Sequence, residues 1–206
     1  MKKIINPWMG MEGYHCFGCD PNHQHGLRME FYEDGDEIVS FWKPDGEHQS
    51  WMNTLHGGIQ AALLDELCGW VVFRKFQTGA VTSKMEIRYR KPVHTNGGKL
   101  TLKARTAEVR RNLVTVAGEI YNSDGELTTE CSCLYFLFSK EKAASEMGLT
   151  RCIVEGEEEY EKISSHTYPY ACCSNTAAGA DLRKNQCALC RCWCCQSAGG
   201  GGNLAT

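Results

Sequence analysis

The chain has 206 residues, a net charge of −3, 42% apolar residues and 23% charged residues, the composition of a globular domain rather than of a disordered chain. Such a balance leaves no electrostatic footprint for nucleic acid or for an acidic membrane surface. No apolar run reaches the roughly 18–20 residues of a membrane-spanning helix, and no apolar stretch follows Lys2 and Lys3, so neither a signal peptide nor membrane association is expected and the expected location is cytoplasmic.

In chain order, Leu27, Met29 and Phe31 alternate with polar residues, Asp34-Gly35-Asp36 reads as a hairpin turn, and Ile38–Trp42 follows as the second strand. A loop from Pro44 to His56 leads into Gly57–Phe73. The length and Ala/Leu content of that stretch predict a helix, apolar nearly all round and so buried on most sides. Four strand-like runs come next. Val81–Val93 alternates with Met85, Ile87 and Tyr89 on one face; Leu100, Leu102 and Ala104 follow the turn Asn96-Gly97-Gly98; Leu113–Tyr121 and Leu127–Phe138 are separated by Ser123-Asp124-Gly125. Two strands, one buried helix and four strands predict an α+β domain whose mostly antiparallel sheet curls around the helix. Apolar surface left at the sheet edges predicts self-association.

The segment that carries chemistry is His56-Gly57-Gly58 with Asp65 eight residues after Gly57. Glycines at a helix start admit close approach to the backbone. The first-turn N–H groups have no intrahelical partner and sit at the positive end of the helix dipole, where they would polarise a carbonyl oxygen. Asp65 is a carboxylate within an apolar helix, costly to bury without a partner or a task. Eight residues of α-helix span about 12 Å. Gly57 and Asp65 of one chain therefore cannot both reach one reacting carbon, and the arrangement predicts a dimer with antiparallel helices and two sites. Glu66 points about 100° away round the helix and is expected at solvent or at an interface.

The stretch Asn53-Thr54-Leu55-His56-Gly57-Gly58-Ile59-Gln60-Ala61-Ala62-Leu63-Leu64-Asp65-Glu66, with Cys16-Phe17-Gly18-Cys19, Gly26-Leu27 and Tyr89-Arg90-Lys91-Pro92-Val93 on its flanks, resembles hotdog-fold thioesterases of the phenylacetate-degradation (PaaI-like) type. The resemblance covers about residues 14–140. It implies the hotdog fold, a homodimer or dimer of dimers, and hydrolysis of acyl-coenzyme A. By resemblance, the Gly57 N–H polarises the thioester carbonyl, Asp65 activates water or attacks directly, and His56 organises the loop. Gly58 and Asn53 would meet the substrate, and Ser83 would be the strand hydroxyl that steers the water. Arg88 and Arg90 are expected to contact the phosphates of coenzyme A, which enters as part of the substrate; no cofactor and no metal are expected. A hotdog dehydratase or hydratase acting through a His base, and a non-catalytic acyl-coenzyme A-binding module, remain as alternatives.

Three further expectations concern cysteines, tryptophans and domain limits. His15, Cys16, Cys19, His23 and His25 could make a zinc knuckle, but a reduced loop is the expectation. Trp42, Trp51 and Trp70 are expected in the core or at an interface. The thioesterase domain is placed at 1–145 and an acidic connector at 146–163. Residues 164–206 hold four charged residues and seven cysteines and are expected to be a disordered or non-native tail.

Overall fold

A computed structural model describes residues 1–157; the expectations for 158–206, including the cysteine-rich tail, lie outside the described residues. Element order is β1 (Lys2–Lys3), β2 (Phe31–Asp34), β3 (Glu37–Trp42), α1 (Gly57–Phe76), β4 (Ala80–Tyr89), β5 (Leu100–Arg110), β6 (Leu113–Tyr121), β7 (Leu127–Leu137) and α2 (Lys140–Met147). The seven strands form one sheet in the order β1-β2-β3-β5-β6-β7-β4, antiparallel at every pairing. Register shifts at Thr82/Lys84, Thr106/Glu108 and Ile120/Tyr121 mark bulges, the local kinks that let a sheet curve.

The sheet encloses α1. Leu63, Leu64, Leu67, Cys68, Trp70, Val71 and Val72 of the helix are buried, against Ile38, Leu102, Val116, Ile120, Cys133 and other inward residues of the strands. This is the hotdog arrangement, α+β with one long central helix. Trp70, 1% exposed, anchors one end: its ring stacks on Phe31 at 4.5 Å and meets Trp8 and Phe73 edge-on. Trp70→Ala is expected to cost about 3–5 kcal/mol, the usual range for emptying a buried aromatic site. Urea unfolding should show a lower midpoint at unchanged slope.

The structure differs from the sequence expectation in several places. Residues 27–30 are not strand. Leu27 and Met29 donate their N–H groups to Phe17 O (2.7 Å) and Gly18 O (2.9 Å), and Arg28 takes a φ of 50°, so this stretch holds the preceding loop instead of a neighbouring strand. Strand β4 ends at Tyr89, and Arg90 and Lys91 both donate to Thr128 O. The folded unit also continues past 145. Leu149, Cys152 and Val154 are buried, Ile4 bridges Val154, and Glu157 pairs with Arg74 (2.9 Å) and Arg151 (2.9 Å). The first part of the expected connector is thus packed, because apolar residues precede its acidic run. Trp42 and Trp70 are core, whereas Trp51 is 74% exposed. No helix among the described residues is long and apolar enough to cross a membrane.

Candidate active site

The loop before α1 is fixed by backbone pairing: Leu55 donates to Val93 O and His56 to His48 O. His56 caps the helix, its Nδ1 accepting from Gly58 N at 2.9 Å. That bond leaves the imidazole proton on Nε2 and occupies Nδ1, so His56 has the work of a cap. Gly58 has its N–H tied up in the same bond. The Gly57 N–H, by contrast, has no partner among the described residues. Tyr89 Oη donates to Gly57 O at 2.9 Å and so holds the next peptide of the helix start. A Cβ on Gly57 would meet the Tyr89 ring at 3.4 Å, ordinary contact. The helix start therefore offers one free, oriented donor at the positive end of the dipole.

Asp65 lies two turns on, half-buried. Its Oδ1 accepts from Thr82 Oγ1 at 2.9 Å, and Tyr135 Oη lies 2.9 Å from Asp65 O and 3.2 Å from Oδ1. Burial pushes the Tyr135 phenol well above its usual range, so it keeps its proton and donates. Oδ2 has no hydrogen bond among the described residues. One oxygen is thus held by two hydroxyls while the other is free to accept a proton from water.

The hydroxyl beside the carboxylate is Thr82, not the expected Ser83. The bulge between Thr82 and Lys84 leaves Ser83 without a partner in the β4–β7 ladder, and the shift in phase turns Thr82 towards the helix. Tyr135 had no sequence signal beyond the alternation of its strand. Within the chain Glu66 is half-buried. Its Oε1 accepts from Trp70 Nε1 at 3.0 Å, and both its oxygens lie 3.8 Å from Cys16 Sγ. Asn53 sits in the loop at φ 56°, its carbonyl accepting from Thr95 N.

Arg88 and Arg90 both turn to Glu130, at 3.8 and 2.7 Å. Arg88 lines a cavity of about 420 Å³ together with Glu86, Glu119 and Glu130. Lys84, Arg90 and Arg105 pair with those carboxylates, so the basic groups here are engaged in ion pairs within the single chain. A second cavity, about 340 Å³ and lined by Met29, Phe31 and Trp70, lies on another side of α1, since position 70 is about 140° round the helix from position 65.

Two thiol clusters flank the helix. Cys68, Cys131 and Cys133 are free and buried, with Sγ separations of 3.8 Å (Cys68–Cys131) and 3.7 Å (Cys131–Cys133). Cys16 and Cys19 face Glu66. The bond from the Cys19 thiol brings Cys16 down to about 7, and its partner Cys16 together with burial pushes Cys19 up. The neighbouring histidines are turned elsewhere: His15 Nδ1 is 3.0 Å from Asp20 Oδ2, and its ring stacks on His23 at 4.1 Å.

The fold is the hotdog fold, and its one central helix carries an amide without a partner among the described residues and, two turns on, a carboxylate. Residues 52–129 match the family model of the thioesterase superfamily (4HBT). Among solved structures, the chain is similar to a thioesterase superfamily protein at 22% identity and a TM-score of 0.56, over 59% of this chain and 60% of that one. It is also similar to a hypothetical thioesterase from Streptococcus pneumoniae TIGR4 crystallised with coenzyme A, at 22% identity and a TM-score of 0.50, over 54% of this chain and 86% of that one. A thioesterase from Haemophilus influenzae matches at 20% identity and a TM-score of 0.50, over 55% of this chain and 80% of that one. These likenesses establish the fold. No curated protein matches the chain.

Proposed function

We propose that the protein is an acyl-coenzyme A thioesterase of the PaaI-like type, working as a homodimer or dimer of dimers. The observation that carries the reading is the complementary pair on α1: among the described residues, a Gly57 N–H with no partner and an Asp65 carboxylate with one oxygen anchored and one free. The thioester carbonyl oxygen accepts from the Gly57 N–H, which holds the negative charge that develops as the carbonyl carbon becomes tetrahedral. Asp65 Oδ2 of the partner subunit takes the proton of the attacking water, or attacks the carbonyl itself to give a mixed anhydride that water then cleaves. Coenzyme A leaves as the thiol. Thr82 and Tyr135 hold the carboxylate in line throughout.

A second copy is required because about 12 Å of helix separates the two groups within one chain. The sheet supplies a surface for it. β4 is the last strand of the order, ten residues long with one edge unpaired among the described residues, and Val81 and Tyr89 stand exposed along it. A strand of that length with a bare edge is a template for pairing with its own copy. The S. pneumoniae protein crystallised with coenzyme A supports the choice of ligand. The dehydratase reading is weaker here, since the His56 Nδ1 that would serve as base already caps the helix.

The test is a thiol-trapping screen of the purified protein over acyl-coenzyme A chain lengths and aryl-acyl groups. Release of free coenzyme A, stoichiometric with carboxylic acid, is the expected result. Tight binding of every acyl-coenzyme A without thiol release would instead assign a binding module.

A further inference from the structure

The Cys16-Phe17-Gly18-Cys19 loop takes no part in the chemistry proposed above, yet it is built with care. Asp20 N donates to Cys16 O at 3.1 Å, closing a turn, and the Phe17 and Gly18 carbonyls are pinned by Leu27 and Met29. The N–H groups of Gly18 and Cys19 are directed at Cys16 Sγ, and Tyr14 Oη lies 3.1 Å from Cys19 Sγ. Opposite the two sulfurs stands Glu66 of α1, oriented by the Trp70 indole. A Cβ at position 18 would come within 2.3 Å of the Glu66 carboxylate, so any side chain there would push Glu66 away from the two sulfurs. One donor atom from each of Cys16, Cys19 and Glu66 lies within 4.8 Å of the others.

Three electron-rich groups crowd one another here, and no cationic side chain is hydrogen-bonded to them among the described residues. A divalent cation removes that conflict. Thiolate sulfur with one carboxylate oxygen suits zinc(II) rather than magnesium or calcium. Tetrahedral zinc with sulfur at about 2.3 Å and oxygen at about 2.1 Å sets those ligand atoms about 3.6 Å apart. Cys16 Sγ lies 3.8 Å from each Glu66 oxygen, and Cys19 Sγ lies within 4.8 Å of the other two ligand atoms. The amides on Cys16, the Tyr14 hydroxyl on Cys19 and the indole on Glu66 are the kind of outer contacts that orient metal ligands.

We infer that Cys16, Cys19 and Glu66 form a zinc(II) site, with water in the fourth position, that clamps the 16–19 loop onto α1. Binding exchanges two thiol protons for one zinc ion and involves no redox step. The ligand set differs from a Cys-His knuckle: the carboxylate comes from the helix, and His15 and His23 pair with Asp20 and with each other. The inference is independent of the thioesterase reading, since Glu66 faces away from the carbonyl and water that Asp65 serves.

The test uses the full chain, stripped with a chelator and then titrated with zinc chloride while thermal unfolding is followed by tryptophan fluorescence. A version with the seven cysteines of 172–195 changed to serine is the reference, and Cys16→Ser, Glu66→Gln and Cys68→Ala are made on it. Zinc should raise the unfolding midpoint of the reference and of Cys68→Ala. Glu66→Gln should bind zinc about tenfold or more weaker, and Cys16→Ser should lose the rise and one equivalent of bound zinc. Cobalt(II) on the reference protein, which needs no variant to fold, should give the intense thiolate-to-metal absorption of a tetrahedral site. Weak octahedral colour, no zinc-dependent rise in the reference, or a rise that survives both Cys16→Ser and Glu66→Gln or vanishes with Cys68→Ala, overturns the site.

Discussion

Asp65→Asn should lower kcat for acyl-coenzyme A hydrolysis by at least about 100-fold while the fold stays intact, on the usual size of a general-base contribution. The substitution is close to isosteric. The asparagine oxygen can still accept from Thr82 and Tyr135, which in the parent hold Oδ1. The amide nitrogen then occupies the place of Oδ2 and cannot take a proton from water. Circular dichroism and the urea midpoint should match the parent. Turnover at the parent rate in a folded Asp65→Asn protein would remove Asp65 from the reaction.

Gly57→Pro should lower kcat by about 10²–10³-fold, the cost of deleting one oxyanion donor. Proline suits this position on three counts. Residue 57 is the first of the helix, where proline is well tolerated and its missing N–H breaks no backbone bond. His56 before it has φ −59° and ψ 133°, a conformation that a following proline favours. The nearest atoms to an added Cβ are those of the Tyr89 ring at 3.4 Å. The variant removes the N–H and puts the proline Cδ in its place, so a fall in kcat at unchanged unfolding midpoint marks this amide position as part of the site. Retained kcat would show that the carbonyl is polarised elsewhere.

The two variants also test one another. If each site takes its amide from one subunit and its carboxylate from the other, mixed dimers of Asp65→Asn and Gly57→Pro chains hold one intact site. An equal mixture refolded together should recover about a quarter of the parent activity, by random pairing of two chain types in a two-fold dimer. Recovery fails if both groups act within one chain.

Much of this arrangement is legible in the sequence because helix and strand periods differ. The apolar run from Gly57 has the length and composition of a buried helix, and Met85, Ile87 and Tyr89 give the phase of β4. What the period cannot carry is a break in it. The bulge inserts a residue between Thr82 and Lys84, and Thr82, not the Ser83 that the family resemblance implied, reaches Asp65. Tyr135 and Glu66 were obscure for another reason: their partners lie 70 and 50 residues away, and only the pairing of β4 with β7 and the path of the 16–19 loop bring them together. The connector limit failed locally, because its acidic residues stood out while the buried Leu149, Cys152 and Val154 before them did not.

The pairing of β4 with β7 has a bearing on biosynthesis. Residues 80–89 leave the ribosome directly after the helix, but the strand they zip against ends at Leu137. Until β7 emerges, β4 can lie on the helix but has no strand of its own molecule to pair with. The domain must therefore complete itself after nearly all of it has been translated, an interval in which sticky surface is open to chaperones and to neighbouring nascent copies.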